Sequence, residues 1–313
     1  MVVDYSKELA LFLEKLRFLR GISQEDFTDG IISNRQYQRY VRGESPMPFH
    51  LINEFAVKLN IKKEDLILEF QNSSIDETTR VINYFSAVLN RDLEKIPVLK
   101  KKISREFLIE LENKSLFKHA ESVEFFFDKK ISTDQLRRNL FELCNYPDVL
   151  NRVPISLNDA LILSSILNYT DTNDKSQIAN KILDVIENPK YTFSAYQITT
   201  FNILTFNLAK YHGRNKEFEK CIEICKIGIS FNQRKESIQN MIQYYYFQAL
   251  CYKELQNTDM MKYCLFKCYS SINISDSEEK MQFYTKLIET DFNINFDEFI
   301  ADYIKNKKGL RKS

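Results

Sequence analysis

Thirteen residues, ISNRQYQRYVRGE from Ile32 to Glu44, hold three Arg, two Gln and one Asn, with two Tyr three positions apart. Planar side chains of these types can read bases: Arg pairs bidentately with guanine, and Asn or Gln with adenine. On a helix beginning near Asn34, Tyr37, Tyr40 and Val41 share one face. Asn34, Arg35 and Gln38 fall on another, flanked by Arg39 and Arg42. The spacing predicts a helix with an apolar side docked on its own domain and a polar side able to enter a major groove. Gln24, which opens the preceding short helix, and Ser33 are placed for phosphate contacts.

Other reactive types carry less. Cys221-x3-Cys225 and Cys264-x3-Cys268 could suggest four thiolates around a metal. Zinc knuckles, however, put turn residues between their cysteines, whereas these lie within helical patterns where a small apolar side chain suits close packing. No metal and no cofactor is expected. His50, His119 and His212 stand in no H-E-x-x-H arrangement, and no Gly-rich phosphate loop or G-x-S-x-G elbow occurs among only six Gly. An enzyme is not expected.

The elements that must hold the Arg-rich segment follow from periodicity. Leu9, Phe12, Leu13, Leu16 and Leu19 recur at helical spacing and Gly21 stops them. Ser23 caps a two-turn helix, Ser33 caps the Arg-rich one and Gly43 ends it. Two more helices, FHLINEFAVKLN and Lys62 to Phe70, complete a five-helix domain over 1–70. This domain has ten Lys+Arg against eleven Asp+Glu, a net of −1, so affinity for DNA must come from local charge; five Arg (17, 20, 35, 39, 42) supply it. QNSSIDET, 71–78, reads as a linker. With few Gly and Pro, no export signal and no apolar run long enough for a bilayer, the chain is expected to be cytoplasmic, with free thiols and no membrane partner.

From 79 to 302 long amphipathic stretches alternate with polar turns. Phe85, Phe127, Tyr169 and Tyr211 are each 42 residues apart and Tyr252 follows 41 later, the mark of a paired-helix repeat. The fold class is therefore all-α: a helix-turn-helix domain followed by a helix-pair solenoid. Residues 303–313, YIKNKKGLRKS, read as a frayed basic tail.

GISQEDF, then ISNRQYQRYVRGES, then KLNIKKEDL resembles the phage-repressor/Cro-like helix-turn-helix family, with Gly21, Ser23, Gln24, Glu25, Ile32, Ser33 and Gly43 matching and Val41 replacing a customary Glu. The resemblance implies base contacts from Asn34, Arg35 and Arg39 and phosphate contacts from Gln24 and Arg42. LAKYHGRNKEFEKCIEICKIGI from Leu208 resembles a right-handed tetratricopeptide repeat of lengthened period, with Gly228 at a small position of its second helix. That likeness places Asn207 where such proteins grip a peptide backbone. Asn202 lies about a turn earlier, and Gln243 and Gln248 belong to the next first helix. Their amides offer donor and acceptor together, and Lys210 or Arg214 could meet a carboxylate. A simple abundance of amides in the composition explains the same residues.

The two parts together resemble the Rgg/PlcR-type regulators. This implies a homodimeric transcription regulator that binds a palindromic double-stranded operator and senses a short signalling peptide in its repeat domain. An alternative keeps the DNA-binding domain and makes the repeats a docking scaffold for protein partners without a peptide effector. A third reading is an interaction protein whose helix-turn-helix no longer binds DNA.

Overall fold

In the computed structural model of the chain, which describes residues 5–103, 108–188 and 190–309, all regular structure among the described residues is helical. The first elements are α1 (Ser6–Leu19), α2 (Gln24–Thr28), α3 (Asn34–Arg42), α4 (Leu51–Lys58) and α5 (Lys63–Leu89). The expected caps are present: the Ser23 hydroxyl accepts from the Asp26 N–H at 3.0 Å and the Ser33 hydroxyl from the Gln36 N–H at 3.2 Å. Gly43 closes α3 with φ 73°, a left-handed conformation that a side chain would strain. Phe27, Tyr37 and Phe55 interlock beneath α3, Phe27 and Phe55 stacking at 4.8 Å and Tyr37 standing edge-on to Phe27 at 5.6 Å. Burial of Tyr37 and Tyr40 is what orients the polar side of α3 outward.

The expected linker at 71–78 is not one. It lies inside α5, which runs without a break for 27 residues. Helix propensities of Ser and Asn are weak priors that tertiary contacts override. Here Ser74 donates to Glu110, and Thr78 bonds back to the Ser74 carbonyl and to Asn113. α6 (Lys95–Lys102) and α7 (Leu111–Phe127) pack on α5. One turn beyond Ser74, the Glu77 carboxylate, 1% exposed, accepts from the Ile109 and Glu110 backbone N–H groups and the Asn113 amide at 3.0–3.1 Å. It thereby satisfies the backbone N–H of the Glu110 cap of α7 and that of the residue before it. The chain divides into compact units after Asp128, not after residue 70.

His119, on α7, is fully buried with its ring 4.4 Å from that of Phe85, and burial lowers its pKa to about 3. The unfolded chain, with an ordinary imidazole near 6.5, takes up a proton that the folded one refuses between those values. Stability is thus complete above pH 6.5 and is lost as pH falls toward 3, by at most about 1.4 kcal/mol per unit. The expected result is that His119→Leu flattens this part of the stability–pH curve, read by urea unfolding at pH 4.5, 5.5 and 7.

The second unit holds α8 (Thr133–Cys144), α9 (Leu157–Tyr169), α10 (Lys175–Glu187), α11 (Ile198–Arg214), α12 (Phe218–Arg234), α13 (Met241–Glu254), α14 (Thr258–Ile274), α15 (Glu278–Phe292) and α16 (Phe296–Gly309). The 42-residue spacing marks one helix of each pair: Phe85, Phe127, Tyr169, Tyr211 and Tyr252 lie on α5, α7, α9, α11 and α13. α11 packs on α12 and also on α9 and α13. All six cysteines are buried with free thiols, and among the described residues no group of three or more His, Cys, Asp or Glu is placed to hold a metal. The supposed tail is helical to Gly309, with Tyr303 stacked on Phe266 at 4.9 Å; residues 310–313 lie outside the described residues. No described helix is long and apolar enough to cross a membrane.

Candidate DNA-reading helix and repeat-domain face

On α3 the structure separates the seven expected DNA contacts into two groups. Arg35, Arg39 and Arg42 are exposed, as is Ser33, whose hydroxyl is engaged as the cap. Arg35 enters no hydrogen bond or ion pair among the described residues, whereas Arg42 binds Glu44 at 2.6 Å and Arg39 approaches the same carboxylate at 3.8 Å. The Arg42 guanidinium holds the Glu44 carboxyl below the usual carboxylate range. Asn34, half-buried, begins the helix.

Gln24 and Gln38 are committed elsewhere. The Gln38 amide donates to Gln24 at 3.3 Å, and the Gln24 amide donates to Glu14 at 2.9 Å, so one polar chain ties α3 to α2 and α1. Burial pushes the Glu14 carboxyl up, but bonds from Arg17 and Gln24 outweigh it and leave the pKa lowered. The Tyr37 phenol is raised, first by burial and then by the Glu14 charge. Two of the five Arg counted as local basic charge also serve the fold: Arg17 grips Glu14 and the Ile22 carbonyl, and Arg20 the Leu59 carbonyl. The three remaining Arg, all exposed, lie on α3, while Lys58 and Lys62 are exposed elsewhere in the domain.

The repeat domain overturns more. Asn202, 0% exposed, exchanges amide bonds with Asn232 at 2.7 and 3.0 Å, and its oxygen also accepts from the Tyr244 hydroxyl at 2.8 Å. Asn207 donates to the Ser164 hydroxyl at 3.0 Å, and Gln248 donates to the Ile222 carbonyl at 3.4 Å; both are buried. These three amides of the expected peptide site face neighbouring helices, because a buried amide must be satisfied and the adjacent repeat supplies the partners. In this structure their amides are taken by protein partners.

Gln243 and Lys210 remain half-buried. Lys210 lies 5.6 Å from the centre of the Tyr169 ring, bridging α11 to α9. Phe206 and Phe247, also half-buried, stack at 5.1 Å and 9° and bridge α11 to α13. Lys210 was expected from sequence, but the aromatic members of this row were missed, although Phe206 and Phe247 are 41 residues apart and so share the repeat period.

These features define a helix-turn-helix unit followed by helix-pair repeats. No protein-family model and no curated protein matches the chain. Among solved structures it is similar to ComR from S. thermophilus in complex with DNA and its signalling peptide ComS, at 14% identity and a TM-score of 0.56, over 90% of this chain and 99% of that one. It is also similar to the apo form of the competence regulator ComR from Streptococcus vestibularis (14% identity, TM-score 0.53, 91% and 98% of the chains). The same regulator with its cognate signalling peptide XIP gives 15%, 0.52, 90% and 98%. What is shared is the fold, and it is the architecture that the resemblance to Rgg/PlcR-type regulators implied.

Proposed function

We propose that this chain is a DNA-binding transcription regulator whose repeat domain receives a short peptide. The observation that carries this is α3: Tyr37 and Tyr40 anchor it, and Arg35, Arg39 and Arg42 project from its free side. The ComR structures of the same fold, one with DNA and peptide and one with peptide, support the two ligand classes. Two protomers would set their α3 helices in successive major grooves, about 34 Å apart, on a palindromic site. Arg35 reads a base and Arg42 grips phosphate. The half-buried row of Tyr169, Lys210, Phe206, Phe247 and Gln243 is where a peptide would lie. Peptide binding shifts DNA affinity only as far as its affinity differs between the two states.

Selection of genomic fragments by the purified chain, footprinted with and without spent culture medium, tests the proposal. Against the selected site, Arg35→Ala should cost about 1–3 kcal/mol and relax preference at one base pair, whereas Arg42→Ala should weaken all sequences alike. If Arg35→Ala weakens every sequence equally, the base-reading role is lost; if no fragment is enriched at low salt, so is the DNA reading.

Burial of Asn202, Asn207 and Gln248 favours a second reading, in which the repeats dock a protein partner and no peptide changes DNA affinity. A site indifferent to spent medium, with a stable protein recovered on the repeats, would select it.

A further inference from the structure

Within the N-terminal unit α1, α4, α5 and the segment before α7 surround a cavity of about 680 Å³. Its walls are Leu9, Met47, Phe49, Ile52, Ile67 and Phe70. Tyr5 and Phe49 stand at it 57% and 63% exposed. That volume lies within the range of small-molecule sites, which pair apolar walls with a few placed polar groups. Here the polar groups gather along α5 and the start of α7: Gln71, Ser74 and Glu110.

The polar groups select the ligand's head. Glu110 accepts from the Ser74 hydroxyl and, at 3.4 Å, from the Asn113 amide. A carboxylate has about four acceptor positions, so it can take a further donor. Ser6 is occupied by the Met47 N–H. No lysine or arginine is among the lining residues; Lys63 stands over the Phe49 ring, 4.5 Å from its centre, without lining the cavity. An anionic head would therefore meet a carboxylate and no lining counter-charge, while a neutral or cationic donor meets an acceptor.

We propose that this cavity binds a small amphiphile with an apolar body and a neutral or cationic hydrogen-bond-donating head, the head against Glu110 and the body against Ile52, Ile67 and Phe70. None of its lining residues belongs to α3 or to the repeat-domain row, and its test needs no DNA.

The full chain is titrated with the neutral fluorophore N-phenyl-1-naphthylamine, then with dodecylamine, dodecanol or dodecanoate below their micelle concentrations. The expected result is saturable uptake of one probe per chain, displaced by dodecylamine at about tenfold lower concentration than by dodecanoate. Ile67→Trp, filling the cavity, should weaken probe binding about tenfold or more. Ile75→Trp on the half-exposed wall serves if the first variant lowers the thermal midpoint. Glu110→Gln should erase the advantage of the amine over the alcohol. Unsaturable uptake, unchanged binding in both tryptophan variants, or equal displacement by amine and carboxylate would overturn the proposal. So would uptake that appears only when residues 1–4 are removed, which would assign the cavity to the chain itself.

Discussion

Glu77→Ala is expected to destabilise the N-terminal unit by about 3–5 kcal/mol, because each buried donor left without an acceptor costs about 1–3 kcal/mol. Three donors lose their acceptor together: the Ile109 and Glu110 N–H groups and the Asn113 amide. The site is dry, since Glu77 is 1% exposed, so water does not replace the carboxylate without further opening. Glu77→Gln keeps one acceptor oxygen and should cost about half as much. Hydrogen exchange at Ile109, Glu110 and residues 77–88 of α5 reads the effect locally, and urea unfolding reads its size. A loss below about 1 kcal/mol in the alanine variant would show that α7 does not need this carboxylate.

Gly228→Ala should cost about 2–4 kcal/mol through overpacking, which costs about 1–3 kcal/mol where neighbours can yield and more where they cannot. A Cβ at Gly228 would stand 2.4 Å from Cζ of Tyr244 and 2.7 and 2.8 Å from its ring-edge carbons. The ring cannot retreat cheaply. Tyr244 is fully buried and its hydroxyl is fixed by Asn202 at 2.8 Å and Thr205 at 2.9 Å, so moving it breaks a satisfied polar cluster between repeats. The same contact predicts non-additivity: Gly228→Ala combined with Tyr244→Leu should cost less than the two single losses summed. Chemical unfolding of the four chains measures this. Strict additivity would mean that the helices slide apart instead of crowding the ring.

The sequence carried the fold further than it carried the sites. Ser23, Ser33 and Gly43 mark helix ends through local backbone chemistry, and they bound α2 and α3 as read. The 42-residue aromatic spacing likewise survived because packing between repeated helices needs a bulky side chain at a fixed point of each pair. Position 71–78 misled because polarity was read as a break. In α5 those residues use their polar groups on α7 and on their own helix, information held by residues about 35 positions away, such as Asn113.

The amides misled for a related reason. Whether Asn202 meets a peptide or Asn232 depends on how α11 is turned against α12. Residue type alone does not encode that turn. Gln24 and Gln38 show the same limit on a smaller scale, their mutual bond joining residues 14 apart. Exposure of Arg35, Arg39 and Arg42, in contrast, follows directly from the two tyrosines that share their helix.

The unbroken α5 bears on how such a chain can be recombined. A junction placed in its polar stretch would look harmless in a sequence. It would cut a helix in mid-course and, anywhere after Ser74, separate that residue from Glu110, which accepts its hydroxyl. It would also leave Val81, Ile82 and Phe85 on one fragment and the start of the same helix on the other. For moving this helix-turn-helix unit onto another protein, the transferable part is therefore residues 1–128, which carries its first helix pair with it.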